Sequence, residues 1–286
     1  MDRVVIVTGA GQGLGREHAL AFGRQGARVV LNDIGDAAEA VAGQIRADGG
    51  TAAASSGDVS DWGYAQSLVG QAVAEFGALH ALVNNAGINR DRMLVNMTED
   101  EWDTVLRVDL KGHFAPMRHA AAYWRERSRQ GEPVAARIVN TTSGAGLMGS
   151  VGQGNYASAK AGIAALTVVA AAEFARYGIT VNAIAPSART PMTEAVFAER
   201  MRPPGSGFDA MHPGNVSPLV VWLAGEESRD VTGRVFEVEG GVISVADGWQ
   251  HGPRVEKDRR WEVPELDGPL RELLARAPAP APVYGQ

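Results

Sequence analysis

The chain of 286 residues contains no cysteine. Disulfides, thiolate nucleophiles and thiolate metal ligands are therefore excluded by composition alone. The six histidines lack the close spacing, with one another or with carboxylates, that is typical of metal sites. The sequence accordingly predicts no metal centre.

Two further absences limit the partners of the protein. No stretch of eighteen consecutive apolar residues occurs, and residues 3–8 enter a predicted strand directly, without a basic and apolar leader. Acidic side chains outnumber basic ones, and the formal net charge of −6 at pH 7 disfavours contact with phosphate backbones. We therefore expect a cytoplasmic protein that acts on a small-molecule substrate and binds neither a membrane nor a nucleic acid.

A glycine-rich turn follows the first apolar run of the chain. Residues 3–8 are mostly β-branched and residues 16–25 have a helical composition, so the turn lies between a predicted strand and a predicted helix. Glycines allow close approach of a ligand to the backbone, and the start of a helix carries a partial positive charge. The turn therefore predicts a pyrophosphate site, with a purely structural turn as the alternative. Its residues are Gly9, Gln12, Gly13, Leu14 and Gly15.

The second predicted strand, residues 27–33, ends in a carboxylate. Asp33 at this place would accept hydrogen bonds from the adenosine ribose of a dinucleotide and would repel a 2′-phosphate. Gln12 supplies no cation to the glycine turn that could hold such a phosphate. NAD is therefore predicted as the cofactor in preference to NADP, with a helix cap or turn residue as the alternative role for Asp33.

Strands and helices continue to alternate along the chain, which predicts parallel strands joined by right-handed crossovers. The predicted fold class is α/β, a single-domain doubly wound (Rossmann) parallel sheet of about seven strands with helices on both faces. We assign residues 1–250 to this domain and residues 251–286 to a C-terminal extension with an Ala-Pro tail. After the third strand, Asp58 and Val59 would hold the adenine edge.

Residues 191–215 are rich in methionine, proline and glycine. They follow the sixth predicted strand, and ligands bind at the carboxyl edge of such sheets. We predict that this segment is a mobile apolar cover over the site, with an ordinary surface insertion as the alternative.

Tyr156 and Lys160 are four residues apart in an alanine-rich segment that favours helix, so both side chains would lie on one face. A phenol is a poor base at neutral pH, and a neighbouring ammonium favours the phenolate that a general base requires. Ser143 ends a predicted strand thirteen residues before Tyr156 and would bring a hydroxyl to the mouth of the sheet. The three residues together predict a catalytic site, although a Tyr–Lys pair by itself is usually an amphipathic surface pair.

Four short motifs occur in an order and spacing that resemble those of the short-chain dehydrogenase/reductase family over residues 2–248. The motifs are Thr8-Gly9 with Gly13 and Gly15, Asn84-Asn85-Ala86-Gly87, Ser143 with Tyr156 and Lys160, and Asn182 to Pro186.

The resemblance implies a role for each predicted catalytic residue. Tyr156 would remove the hydroxyl proton during oxidation, and Ser143 would stabilise charge on the reacting oxygen. Lys160 would favour the phenolate of Tyr156 and hold the nicotinamide ribose. The cofactor contacts implied by the family are Asn84, Asn85, Ala86, Gly87, Tyr156, Lys160, Pro186 and Thr190.

Within the family, the chain is similar to the (3R)-hydroxyacyl-CoA dehydrogenase module of peroxisomal multifunctional enzyme type 2 and its bacterial relatives. The residues that carry this similarity include Asn32 to Gly35, Asn89 to Met93, Glu101 to Asp103 and Ser217 to Leu223. Family members commonly form tetramers through two long helices, so the resemblance implies a homotetramer, or a homodimer.

One position departs from the family pattern. Asp109 stands where the family usually has an asparagine, in the helix before the Ser143 strand. The resemblance makes Asp109 a candidate catalytic residue that would hold a proton-relay water, while a carboxylate near Lys160 would alter the ionisation of the site.

Three functions stay open at this point. The first is NAD-dependent hydride transfer to or from a secondary alcohol or ketone, such as a 3-hydroxyacyl-CoA or a steroid. The second is NADPH-dependent 3-ketoacyl reduction, against which Asp33 and Gln12 argue. The third is a non-catalytic dinucleotide-sensing or scaffold protein, because a fold does not by itself imply a function.

Overall fold

In the computed structural model, which describes residues 1–194, 198–246 and 248–284, eight strands form one sheet. The strands are β1 (Val4–Thr8), β2 (Arg28–Asp33), β3 (Thr51–Ser56), β4 (Ala81–Asn84), β5 (Ala136–Thr141), β6 (Ile179–Ser187), β7 (Val235–Glu239) and β8 (Val242–Ala246). Their order across the sheet is β3-β2-β1-β4-β5-β6-β7-β8, and each neighbouring pair is parallel except β7 with β8. The order reverses between β1 and β4, which is where ligands bind in such sheets.

Helices cover both faces of the sheet. They are α1 (Gly13–Arg24), α2 (Ala37–Ala47), α3 (Trp62–Phe76), α4 (Glu99–Val105), α5 (Gly112–Arg129), α6 (Gly144–Met148), α7 (Gly154–Phe174), α8 (Pro191–Glu194), α9 (Ser217–Leu223) and α10 (Asp267–Arg276). Val5 and Val7 of β1 pack toward α1, α2 and α9, while Val4 and Ile6 pack toward α3, α5 and α7. Because successive strand residues point to opposite faces, one buried strand serves two cores. The α/β doubly wound prediction is confirmed.

The sheet contains one strand more than the approximate count from the sequence. Gly240 and Gly241 turn the chain, and β8 then pairs antiparallel with β7. Val242, Ile243 and Val245 of this edge strand are more than half exposed. A β-branched run directly after two glycines is a hairpin signal that the sequence reading did not use.

Helices α4 and α5 are consecutive but do not form one regular helix. Thr98 and Glu101 form a capping box at the start of α4. Residues Leu106–Lys111 then form a π-helical turn before α5 begins. Such a turn contains one extra residue in the helix and often marks a functional position. Here it directs Asp109 into the interior, where that residue is fully buried.

Helix α7 and the short helix that extends it to Tyr177 span 24 residues with a mean hydropathy of 1.4 in the most apolar window. In the described part of the chain, this is the one helix long and apolar enough to cross a membrane. Its inner face packs against β5 and β6, and it carries Lys160, which is 2% exposed. The helix is therefore a core element of this fold.

Two predicted segments extend beyond the described residues. Residues 195–197 of the predicted cover and residues 285 and 286 of the predicted tail lie outside them. Between them, the described part of the extension holds α10, whose side chains are largely exposed, and then an extended stretch that reaches Tyr284. The division of the chain near residue 250 stays a prediction.

The buried imidazole of His18 gives a test of the α1–α9 packing. Its Nδ1 lies 2.9 Å from Ser217 Oγ, and burial lowers the pKa of His18 to about 3. The unfolded chain therefore binds a proton near pH 6.5 that the folded chain does not bind. The contribution of His18 to the free energy of unfolding is therefore fully present above pH 6.5. Below that pH, the contribution falls by about 1.4 kcal/mol per pH unit.

The variant His18→Gln retains a polar partner for Ser217. We expect its free energy of unfolding to depend less on pH than that of the wild type, because the contribution of His18 is removed. Urea unfolding between pH 6.5 and pH 5 measures it, with the other buried histidines present in both proteins. An unchanged slope of unfolding free energy against pH would show that His18 does not contribute.

Candidate active site

A cleft of about 900 Å³ opens at the carboxyl ends of the strands, across the point where the strand order reverses. All predicted cofactor contacts except Gly15 and Asn84 line it. They are Gly9, Gln12, Gly13, Leu14, Asp33, Asp58, Val59, Asn85, Ala86, Gly87, Tyr156, Lys160, Pro186 and Thr190. Ser143 lines the same cleft.

The start of α1 faces this cleft and fits a pyrophosphate. The Gln12 side chain does not cap the helix, and the first turn contains no acidic residue. The first N–H groups of the helix therefore remain available as donors, and the helix dipole favours an anion there. Gly13 has a φ of 53°, a left-handed conformation that favours glycine.

Gly15 has a packing role and does not line the cleft. A Cβ atom at this position would lie 2.0 Å from the Gly9 carbonyl oxygen and 2.6 Å from Asn85 Nδ2. Only glycine allows α1 to approach the end of β1 this closely. The sequence predicted that Gly15 contacts the cofactor directly. In the structure, Gly15 instead allows the close packing that positions the glycine turn.

Asp33 closes the far end of the cleft. Its Oδ2 accepts a hydrogen bond from the Gly11 N–H at 2.7 Å, and its Oδ1 accepts one from the Ile34 N–H at 2.7 Å. These two bonds fix the carboxylate against the glycine turn, where a ribose would meet it.

The next charged group along this end is already paired. Asp58 Oδ2 lies 2.6 Å from Arg107 Nη1, and Ser60 donates to Asp58 Oδ1. Burial would raise the pKa of Asp58, but the hydrogen bonds from Ser60 and Arg107 outweigh it and lower that pKa.

Within the described residues, no group of three acidic or histidine side chains is placed to bind a metal ion.

The segment after β4 is tied to the end of β1. Asn85 Nδ2 donates to the Thr8 carbonyl at 3.0 Å, and the Asn85 N–H donates to Thr8 Oγ1 at 2.9 Å. Asn84 differs from its prediction, because it is fully buried and does not line the cleft. Its Nδ2 donates to Asn140 Oδ1 at 3.0 Å and so joins β4 to β5.

Ser143 follows β5 and begins α6 as its N-cap. The Ser143 Oγ accepts a hydrogen bond from the Ala145 N–H at 3.2 Å. Because this bond uses a lone pair, the hydroxyl hydrogen remains free to donate to a ligand. Tyr156 lies in the first turn of α7 and lines the cleft with Ser143, as the sequence predicts.

Lys160 lies one turn after Tyr156, with its Nζ 5.4 Å from the centre of the Tyr156 ring. The Nζ donates to the Thr141 carbonyl at 3.0 Å and lies 3.3 Å from Asp109 Oδ2. The side chains of Lys160 and Asp109 are 3% and 0% exposed. The ammonium is therefore fixed by two partners, the Thr141 carbonyl and the buried Asp109 carboxylate.

Asp109 does not line the cleft. Its Oδ1 accepts a hydrogen bond from the Ile88 N–H at 2.8 Å, and burial raises the pKa of Asp109 while Lys160 opposes the rise. Its predicted role as a water-holding catalytic residue does not fit this position, because the π-helical turn places the carboxylate behind Lys160. We treat Asp109 as a positioning residue.

The imidazole beside this pair is neutral. Burial, with a further contribution from Lys160, lowers the pKa of His113 well below its usual value. His113 is fully buried, and its Nε2 accepts a hydrogen bond from the Thr141 N–H at 3.4 Å. The positive charge at the base of the cleft is thus confined to Lys160.

Part of the predicted cover lies against the cleft. Pro191, Met192 and Thr193 line it, as do Arg200 and Met201 further along. Its mobility stays a prediction.

The sequence analysis missed two residues that line the substrate side. Gln153 is 9% exposed, and its Nε2 donates to an Asp91 carboxylate oxygen at 3.1 Å. Tyr284 lines the cleft from the far end of the described chain. A single aromatic residue after an Ala-Pro run was the available signal for Tyr284, whereas Gln153 carries no signal beyond its position near Tyr156.

Comparison with known proteins gives consistent matches. The profile of the family described as short chain dehydrogenase matches residues 3–201. Hydroxyacyl-CoA dehydrogenase ChsB1 of Mycobacterium tuberculosis is 44% identical over 282 residues, which cover 96% of this chain and 89% of that protein. Peroxisomal multifunctional enzyme type 2 of Mus musculus is 40% identical over 251 residues, or 84% of this chain and 32% of that protein. A crystal structure of a short chain dehydrogenase from Mycobacterium avium matches with a TM-score of 0.92 and 60% identity over 99% of this chain and 98% of that one.

The buried pair Lys160 and Asp109 can be tested with a double-mutant cycle. We expect Asp109→Ala to lower the free energy of unfolding by about 3–5 kcal/mol, because the ammonium loses its buried partner. Lys160→Met removes that unpaired charge, so the double variant should lose less than the sum of the two single losses. Urea unfolding of the four proteins measures this, and strictly additive losses would mean that the two charges do not interact.

Proposed function

Because the chain belongs to the short-chain dehydrogenase family, we propose that it oxidises a 3-hydroxyacyl-CoA, or a similarly bulky secondary alcohol, with NAD. The family membership confirms the resemblance that the four motifs predicted. The protein is an oxidoreductase that binds a nicotinamide dinucleotide and transfers hydride at a hydroxyl or ketone carbon. The observation that carries the proposal is the single cleft shared by Ser143, Tyr156, Lys160 and the α1 glycine turn.

The cofactor, when bound, supplies the carbon that accepts or releases the hydride. The residues of this chain orient it. The N–H groups at the start of α1 would bind the pyrophosphate, and Asp33 would accept hydrogen bonds from the adenosine ribose. Gly87 leaves room beside Lys160, because a Cβ atom there would lie 3.2 Å from the Lys160 Nζ.

The chemistry at the substrate falls to three side chains. Ser143 would donate its free hydroxyl hydrogen to the reacting oxygen, and Tyr156 would take the alcohol proton in the oxidative direction. The Lys160 ammonium lies 5.4 Å from the centre of the Tyr156 ring and would attract negative charge that develops on the Tyr156 oxygen. Asp109 and the Thr141 carbonyl keep that ammonium at the base of the cleft.

The preference for NAD rests on charge. Asp33 carries a carboxylate at the ribose end, and the neighbouring cation Arg107 is already paired with Asp58. A 2′-phosphate would therefore meet repulsion from Asp33, and the Arg107 guanidinium is already engaged by Asp58. NADPH-dependent 3-ketoacyl reduction would use the same hydride-transfer geometry. The ratio of kcat/KM for NADP over NAD distinguishes the two functions.

The substrate class is proposed from the relatives. A hydroxyacyl-CoA dehydrogenase and a peroxisomal multifunctional enzyme are among the proteins that the chain resembles over most of its length. Met192 and Met201 add adaptable apolar surface to the cleft.

We further propose a homotetramer in the cytoplasm, built through α5 and α7. Phe114, Val168 and Val169 on these helices are 41%, 54% and 52% exposed, an apolar surface that association would bury. Sedimentation at micromolar concentration measures the oligomeric state.

The catalytic assignment predicts a large loss on removal of one hydroxyl. With a (3R)-3-hydroxyacyl-CoA and NAD, Tyr156→Phe should lower kcat by about 10²- to 10⁴-fold, the usual contribution of a general base. Absorbance of the reduced nicotinamide measures turnover. Tyr177→Phe, outside the cleft, is the matched control and should keep full activity. Full turnover by Tyr156→Phe would remove the basis of the proposal.

The cofactor assignment predicts a shift in preference on removal of one charge. Asp33→Asn should raise the ratio of kcat/KM for NADP over NAD by about 10-fold or more, because like-charge repulsion with the 2′-phosphate is lost. Asp36→Asn, an exposed carboxylate in the next turn, should leave the ratio unchanged. A wild-type protein that prefers NADP would contradict the assignment.

A further inference from the structure

The last described residues of the chain lie against the substrate side of the cleft. Tyr284 and Ser150 form an isolated parallel bridge. The Val151 N–H donates to the Tyr284 carbonyl at 2.9 Å, and the Tyr284 N–H donates to the Gly149 carbonyl at 3.2 Å. Two backbone hydrogen bonds therefore fix Tyr284 to the segment 149–151.

That segment is fixed on a second side as well. Arg92 and Gln153 form another isolated parallel bridge, and the Arg92 N–H donates to the Gly152 carbonyl at 2.7 Å. The Gln153 side chain also donates to the Asp91 carboxylate. Tyr284 thus rests on a loop that is itself anchored, so its position over the cleft is defined.

Two glycines make room for the end of the chain. A Cβ atom on Gly144 would lie 3.0 Å from Tyr284 Oη and 3.1 Å from its Cε2, so the phenol ring lies directly over Gly144. A Cβ atom on Gly149 would lie 3.3 Å from Val283 Cγ1. Gly144 follows Ser143 in the chain, and Ser143, Gly144 and Tyr284 line the same cleft.

The ring presents mainly apolar surface to the cleft. Tyr284 is 45% exposed and lines the cavity together with Ser143 and Tyr156. Among the hydrogen bonds of the described residues, none involves its hydroxyl, so the ring is not oriented by a polar anchor. Met148 and Val151, 40% and 45% exposed, continue apolar surface along the same loop.

We propose that Tyr284 forms a wall of the substrate site beside Ser143 and determines specificity for substrates with an extended apolar group next to the reacting carbon. The inference rests on the proposed dehydrogenase function, since it assigns a wall to that same site. The aromatic face would pack against the acyl chain, while a four-carbon acyl group would leave most of that face unused.

The test compares a long and a short substrate. For (3R)-3-hydroxydecanoyl-CoA, Tyr284→Ala should raise KM by about 5- to 30-fold, as expected for the loss of one aromatic contact. For (3R)-3-hydroxybutyryl-CoA, KM should change less than about twofold, and kcat should hold for both because Tyr284 takes no part in proton transfer.

Two variants separate the ring from its surroundings. Tyr284→Phe keeps the aromatic face and should restore the wild-type KM for the long substrate. Leu274→Ala removes an exposed apolar side chain of α10 and should leave every constant unchanged. The Kd for NADH, measured by fluorescence, should be equal in all four proteins, because the ring lies over Gly144, which is not among the predicted cofactor contacts.

An unchanged long-chain KM in Tyr284→Ala, or an equal rise for both substrates, would overturn the inference. An increase of kcat/KM in Tyr284→Ala would also overturn it, because the ring would then obstruct the site. Titration calorimetry of the decanoyl thioester separates the two proposals. If the wild type binds this thioester without turnover, the proposed function fails, and a Kd at least fivefold weaker in Tyr284→Ala would still support the wall. No binding by the wild type would overturn both.

Discussion

A buried ammonium is the constraint on which the site depends. Lys160 brings a positive charge to the base of the cleft, where water cannot solvate it, and a charge in such a place needs fixed partners. The Thr141 carbonyl and the Asp109 carboxylate provide them at 3.0 and 3.3 Å. The ammonium is thereby fixed one helical turn after Tyr156, with its Nζ 5.4 Å from the centre of the Tyr156 ring, and the fold must retain this charge.

The topology brings these partners together. Thr141 ends β5, Asp109 belongs to the π-helical turn before α5, and Lys160 belongs to α7. These residues are far apart in sequence, and they meet because the strands are parallel and end at one edge. The same edge carries the glycine turn after β1 and Asp33 at the end of β2, so the proposed dinucleotide site and the proposed proton-transfer site share one cleft.

Most of the fold, and the meeting of most predicted site residues in one cleft, could be predicted from local signals. Strand periodicity, glycine turns and the spacing of Tyr156 and Lys160 are short-range patterns, and they predicted the sheet and the convergence of Ser143 with the pair. The exceptions are positions that were assigned from the family pattern. Asp109 belongs to a π-helical turn that places its carboxylate behind Lys160. Asn84 is held in the core by its hydrogen bond to Asn140. The place of Tyr284 depends on a long-range contact with the segment 149–151, and the aromatic residue after the Ala-Pro run does not show which part of the fold it meets.

The π-helical turn at Leu106–Lys111 also affects how this helix can vary in length. An α-helix advances about 100° per residue, so deletion of one residue within the turn would let α4 and α5 join as a regular helix. The side chain that now faces Lys160 would rotate away, while the outer part of the helix kept its course. A gap of one residue in this stretch of a related sequence would therefore signal loss of the carboxylate behind the lysine, even where an aspartate is still present nearby.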